Sequence, residues 1–279
     1  MDTILLIDIG NTHTHLGLGH SGRVYKSSDF PTALWKTGEA LVFLERCVGK
    51  PVLQGAALCS VVPWATSFAT HCVSNRWKVE TLELNSETIL DLGIDYPKPR
   101  TIGPDRLANA LAAKERYGAP VVVVDFGTAV TFDVVNGHGD YVGGIIAPGL
   151  SAMTSYLHEK TALLPAIRIR EPQRVVGKST EQAMLSGAVI GYRGLIRELI
   201  VELKRELGIK RLPVVATGGY AGLIASRFAL ISHVEPQLTL EGLCLLWTRR
   251  NRDMRSESKV KRFDKRLSSG SRLHKLAQE

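Results

Sequence analysis

Two short segments bring together the residue types that phosphate chemistry needs: Asp8-Ile9-Gly10-Asn11-Thr12 and Asp125-Phe126-Gly127-Thr128. In each, a carboxylate closes an apolar run and is followed by glycine and a hydroxyl residue. Glycine lets backbone N–H groups approach an anion with no Cβ in the way. The hydroxyl donates to a phosphate oxygen, and the carboxylate holds a hydrated divalent cation. One such turn alone is an ordinary hairpin signal. Two of them, with Asp8 and Asp125 separated by 117 residues, can clamp a polyphosphate from both sides.

A third cluster, Gly103-Pro104-Asp105-Arg106, stands just before a segment, Leu107 to Tyr117, that its Ala/Leu-rich pattern predicts to be helical. Asp is common at a helix N-cap. Arg in the first turn opposes the helix dipole, so it calls for an anionic partner outside the helix. Held side by side, Asp105 can take a proton from a substrate hydroxyl while Arg106 grips a carboxylate or phosphate. A base of this kind works near its ordinary pKa, because the hydroxyl proton becomes acidic only as the bond to phosphorus forms.

Other phosphate and metal motifs fail on their spacing. Gly177-Lys178-Ser179-Thr180 ends like a P-loop, but the pattern needs glycine at position 172, which is Pro172. No GxGxxG follows a strand, so a Rossmann dinucleotide site is not supported. Cys47, Cys59, Cys72 and Cys244 form no CxxC pair and have no ligand-like spacing with histidine, and the adjacent His71 and Cys72 read as ordinary helix residues.

The elements that must position these clusters read as α/β. The apolar run Ile4 to Ile7 ends in the first turn and resumes at Leu16-Gly17-Leu18, a strand, turn and strand. The same grammar returns at Val121 to Asp125, followed by Val130-Thr131-Phe132-Asp133-Val134-Val135. Helical patterns follow over 150–161, 179–207 and 220–225, and short strands alternate with them. An internal duplication accounts for this, with halves 1–117 and 118–248 joined near Asp95 to Gly103.

Of the net charge of +8, the segment 249–279 carries +7, so the body is nearly neutral and offers no general basic face. That tail reads as a solvated, disordered extension. Val260, Phe263 and Leu267 fall at helical spacing among basic residues, which fits a basic amphipathic helix on an anionic surface, or a tether to nucleic-acid phosphates. At 44% hydrophobic the body buries a large core. Its N-terminal apolar run is too short for a signal peptide, and no stretch reaches the ~18 apolar residues of a membrane span, so the cytoplasm is the expected compartment.

Taken in order, Asp8 to Thr12, Gly103 to Arg106, Asp125 to Thr128 with Ala129 and Thr131, Gly143 to Gly149, and Thr217-Gly218-Gly219 resemble the type III pantothenate kinases, from about Ile4 to Trp247. The resemblance implies the duplicated actin-like (ribonuclease H-like) fold of the sugar kinase and Hsp70 superfamily, with an ATP cleft between the halves. It implies transfer of the ATP γ-phosphoryl group to the primary hydroxyl of pantothenate. By similarity Asp8, Ile9, Gly10, Asn11, Thr12, His13, Thr14 and His15 form the first phosphate loop, with Asp8 near Mg2+, and Thr128 contacts ATP. Asp125 holds a monovalent cation, K+ or NH4+, and Asp105 is the general base. Tyr96, Gly103, Pro104, Asp105 and Arg106 meet pantothenate, and Thr180 reaches the partner's site in a homodimer. Relatives generally stop soon after the helix that here includes Leu238 to Trp247, so the resemblance is silent on the tail.

Two other functions compete. One is a non-catalytic regulator of the same fold that engages nucleic acid through its tail; the intact set Asp8, Asp105, Arg106, Asp125 and Thr128 argues against it. The other is a sugar kinase or polyphosphate phosphatase, which the Gly103 to Arg106 stretch disfavours.

Overall fold

The two Asp-bearing apolar runs become the central strands of two sheets. The computed structural model describes residues 3–252. In the first half, β1 (Thr3–Ile9), β2 (His13–His20) and β3 (Arg23–Pro31) form an antiparallel meander. Helices α1 (Leu34–Thr37) and α2 (Ala40–Val48) lead to β4 (Leu53–Ser60), and α3 (Pro63–Trp77) leads to β5 (Thr81–Glu83). Both β4 and β5 lie parallel to β1, and the sheet order is β3-β2-β1-β4-β5. After the two-residue strand β6 (Gly93–Ile94) and a 3-10 turn at Pro99–Thr101, helix α4 (Pro104–Tyr117) closes this part of the chain.

The second half repeats the plan. β7 (Val121–Phe126), β8 (Ala129–Val135) and β9 (Asp140–Pro148) form the meander. α5 (Leu150–Lys160), α6 (Thr180–Leu185), a π-helical turn at Ser186–Ile190 and α7 (Gly191–Glu206) lead to β10 (Val214–Thr217). α8 (Ala221–Ala225) then leads to β11 (His233–Val234), and a final helix, α9, is described over residues 238–252. The order β11-β10-β7-β8-β9 matches the first sheet strand for strand, so α4 and α9 are equivalents, each following the last strand of its sheet. The α/β class and the duplicated actin-like architecture of the sequence reading are therefore present. Strand β6, from residues 93–94, adds to the second sheet beside β9. Residues 249–252, placed by sequence at the start of the tail, are helical here, with Arg249 on Asp91 and Glu115 and Arg250 on Glu80. The remainder of the tail lies outside the described residues.

The central strands are covered on both faces, which is why they read as unbroken apolar runs. Side chains alternate along a strand. In β1, Ile4 and Leu6 face a middle core built on α4 and α9, while Leu5, Ile7 and Ile9 face an outer core with α2 and α3. In β7, Val121 and Val123 join the same middle core, and Val122 and Val124 pack outward against α7. Burying each such Val or Leu stabilises by about 1.5–3 kcal/mol. Because α4 and α9 fill the space between the sheets, residues at their first turns and at the strand ends converge.

Helix α4 starts three residues before its Ala/Leu-rich pattern. Pro104 takes the first helical position, where its fixed φ suits the turn and its missing N–H costs nothing, and Asp105 follows in the positive end of the dipole. Lys114 and Arg116 occupy the last turn.

Candidate active site

The C-terminal ends of β1 and β7 point their turns at each other. The Thr12 and Thr128 hydroxyls lie 3.0 Å apart, both exposed. The first turn is braced from behind: Gly10 N–H donates to the His13 carbonyl at 3.0 Å, and the Thr32 hydroxyl donates to the Gly10 carbonyl at 2.7 Å. Thr14 is buried beside Thr32, its hydroxyl accepting from Trp35 Nε1 at 3.0 Å. Of the segment expected to form the phosphate loop, Asn11, Thr12, His13 and His15 are exposed, whereas the side chains of Ile9 and Thr14 belong to the scaffold.

Three carboxylates surround the turns. Asp8 ends β1, buried, and its Oδ1 accepts from the Cys59 thiol at 3.3 Å. Burial pushes its carboxyl up to about 8; the charges of Asp105 and Asp125 add to the rise, and the Cys59 bond opposes it. Asp125 ends β7 and is pushed up to about 6 by burial and by Asp105, against a 3.1 Å bond from Asn109 Nδ2. Asn109 is itself fixed by Thr239 of α9, which donates to its Oδ1 at 2.8 Å. Gly218 lets the turn after β10 close on this carboxylate: its φ is +88°, and a Cβ there would stand 2.4 Å from Asp125 Oδ1.

Asp105 is the second residue of α4, after the N-cap Gly103 and Pro104. Its Oδ1 accepts from the Arg106 amide at 2.9 Å. Burial raises its pKa, with the Arg106 amide and charge pulling the other way, so this carboxylate is more basic than the ordinary one expected from sequence. The anionic partner that Arg106 called for is internal. Its Nε donates to Asp133 Oδ1 at 2.6 Å and its Nη2 to the Phe132 carbonyl at 2.9 Å, both on β8. Tyr141 lies under the guanidinium, 5.9 Å from ring centroid to Cζ, and Tyr96 meets Tyr141 edge-on at 6.3 Å.

The structure thus gathers Asp8, Asp105 and Asp125 into one electrostatic group, brings Thr12 to Thr128, and joins Tyr96 to Arg106 through Tyr141. Thr180 stands apart. It is exposed at the start of α6, on a groove of about 450 Å³ shared with Met153, Leu157, Leu164 and Met184. Sequence reasoning did not single out Asp133, Asn109, Thr32 or Cys59. The available signal was a carboxylate inside the apolar run 130–135 and an amide inside an Ala/Leu helix.

Burial raises all three carboxylates and the charge of Asp105 raises Asp8 and Asp125 further, so a cation beside those two would restore their charge. No three His, Cys, Asp or Glu side chains among the described residues form a closed cage. A divalent ion at Asp8 would therefore draw most of its oxygen ligands from water and substrate phosphates, as Mg2+ does in nucleotide sites.

An actin-like fold with two opposed glycine-and-hydroxyl turns, carboxylates beside them and one carboxylate at a helix start suits phosphoryl transfer from a nucleotide. Solved structures agree on the fold: the activator of 2-hydroxyisocaproyl-CoA dehydratase from Clostridium difficile, with bound ADPNP, superposes with a TM-score of 0.52 at 12% identity, covering 91% of this chain and 97% of that one. A ROK family glucokinase from Streptomyces griseus, in complex with glucose and AMPPNP, gives 0.51 at 13% identity, covering 88% and 98%. The family model of type III pantothenate kinase matches residues 4–202, and the chain belongs to that family. The type III pantothenate kinase of Methylacidiphilum infernorum (isolate V4) is 44% identical over 244 residues, 87% of each chain. That of Akkermansia muciniphila is 47% identical over 242 residues, 86% of this chain and 96% of its own.

Proposed function

We propose that the chain transfers the γ-phosphoryl group of ATP to the primary hydroxyl of pantothenate, giving 4'-phosphopantothenate at the first step of coenzyme A biosynthesis, with Asp105 as the general base. The observation that carries the residue assignment is the approach of Thr12 to Thr128 at 3.0 Å, beside Asp8 and Asp125, whose carboxyls the charge of Asp105 raises.

Phosphoryl transfer asks for positioning and charge neutralisation rather than a covalent nucleophile. The backbone of Gly10 to Thr12 and the Thr12 and Thr128 hydroxyls hold the phosphates from two sides. Asp8 would face the Mg2+ that accompanies ATP, and Asp125, steadied by Asn109, would take K+ or NH4+; bound there, these cations would neutralise charge on the phosphates. Asp105 accepts the proton of the pantothenate hydroxyl as the oxygen–phosphorus bond forms, and its burial makes it a better acceptor than an exposed carboxylate. Gly103 to Arg106 and Tyr96 line the acceptor side.

A homodimer is part of this reading. Ile146, Tyr156, Leu157, Leu163, Val175 and Val176 are exposed apolar residues of the second half, in the chain segment that also carries Thr180. These exposed apolar residues, with Leu157 on the same groove as Thr180, support a second copy docking there and Thr180 completing the partner's acceptor site. No described helix is long and apolar enough to cross a membrane, and the cytoplasm, where ATP is supplied, is the compartment we assign.

Pantothenate-dependent ADP release, measured with Mg2+ and either K+ or Na+, tests the function. Turnover that needs pantothenate and is stimulated by K+ supports it. Absence of turnover under every combination, with salt-sensitive DNA binding lost on deleting residues 249–279, would favour the regulatory alternative.

A further inference from the structure

We infer that Asp133 is a positioning residue that turns the Arg106 guanidinium into a receptor for the acceptor's carboxylate; the inference rests on the kinase reading above. Asp133 sits in the middle of β8 with its side chain fully buried. Its Oδ1 receives two donors, Arg106 Nε at 2.6 Å and the Tyr141 hydroxyl at 3.3 Å, and its Oδ2 has no hydrogen-bond partner among the described residues. A buried carboxylate bonded through one oxygen is held there by its counter-ion, so Arg106 is the group that compensates it.

The consequence lies in the fork. Asp133 takes Nε and the Phe132 carbonyl takes one Nη2 hydrogen, which fixes the guanidinium plane. Gly144 makes room for this: a Cβ there would stand 1.6 Å from the Phe132 carbonyl oxygen and 2.7 Å from Arg106 Nη2. The remaining N–H groups on Nη1 and Nη2 form the edge that suits a carboxylate bidentately. The phosphate end of the cleft already has two hydroxyl turns and the acidic cluster. Arg106 stands over Tyr141, which Tyr96 meets edge-on, so the edge left by Asp133 and Phe132 serves the acceptor. A pantothenate whose hydroxyl meets Asp105 then places its carboxylate end toward Arg106.

Steady-state kinetics of the full-length enzyme with pantothenate and with pantothenyl alcohol, in which CH2OH replaces the carboxylate, test this. Asp133→Asn keeps an acceptor for Arg106 and Tyr141 while removing the charge; Arg106→Lys keeps the charge pair without the fork. In each variant the pantothenate KM is expected to rise at least ~10-fold, and in Asp133→Asn the ATP KM and the efficiency with the alcohol stay within about 2-fold, so the preference for the acid collapses. Equal loss with both acceptors and with ATP overturns the inference, since that is what general loosening of the fold would do. Wild-type enzyme that does not distinguish acid from alcohol also overturns it, leaving the kinase reading intact. Wild-type enzyme inactive with pantothenate overturns both.

Discussion

The Thr12 hydroxyl lies 3.0 Å from the Thr128 hydroxyl across 116 residues of sequence. Thr12 comes two residues after Gly10 and Thr128 directly after Gly127, each in its own strand-end turn, so the pair sits where the two copies of the duplicated unit face each other. Two hydroxyls at that distance reach the same phosphoryl group. Removing either by Thr→Val takes away a hydrogen bond to a charged oxygen, worth roughly 1.5–3 kcal/mol, and should raise the ATP KM by ~10-fold or more. The double variant should lose less than the product of the two, because the remaining hydroxyl in each single variant is already deprived of its opposite. Independent, multiplicative effects in a double-mutant cycle would show that the two turns hold different groups.

Asp105→Asn preserves the shape of the α4 start and the acceptor for the Arg106 amide, and removes the base. Turnover is expected to fall at least ~100-fold with ATP binding nearly unchanged, the split that general base catalysis predicts. Normal turnover with pantothenate would refute the base assignment.

Asp8 links the site to pH. Its carboxyl is raised to about 8 in the fold, so the folded state holds a proton that the unfolded chain, near 3.8, releases earlier. The associated stability is present in full below the unfolded value and is lost as pH rises through the folded value near 8. Without Mg2+ the protein should therefore lose stability between those limits. Asp8→Asn should remove that slope and raise Tm at pH 8.5 by at least about 3 °C, the shift that ~1 kcal/mol gives a chain of this size. Mg2+-nucleotide should stabilise wild type more at pH 8.5 than at pH 6, and Asp8→Asn equally at both. A thermal-shift series over pH reads all of these, and a wild-type Tm independent of pH would contradict the burial of this charge.

What could be read in the sequence was local. The turns at Asp8 and Asp125 depend on neighbours a few residues apart and are found where their residues put them, whereas the helix expected from Leu107 starts three residues earlier, at Pro104. Asp133 and Asn109 are different. Inside β8 an Asp among Val and Phe looks like a strand residue facing water. It is buried because Arg106, 27 residues away on α4, meets it across the middle core. Asn109 in an Ala-rich helix has no local signature either; its role comes from Asp125 and Thr239, which only the packing of α4 between the second sheet and α9 brings together. Thr14 is similar, since its hydrogen bonds to Thr32 and Trp35 are made across the β3 side of the sheet.

The Arg106–Asp133 pair makes a stability prediction separate from catalysis. Arg106→Ala leaves the Asp133 carboxylate buried with its Tyr141 bond alone, and breaking one side of a buried pair costs about 3–5 kcal/mol. Asp133→Asn in the same chain removes the uncompensated charge, so Arg106→Ala with Asp133→Asn should be more stable than Arg106→Ala by ~1 kcal/mol or more, although it carries one more change from the native sequence. Urea denaturation of the wild type, both single variants and the double variant measures the coupling directly. If the second substitution only adds to the loss, Asp133 is not held as a charged partner of Arg106, and the fixed guanidinium on which acceptor recognition depends would need another cause.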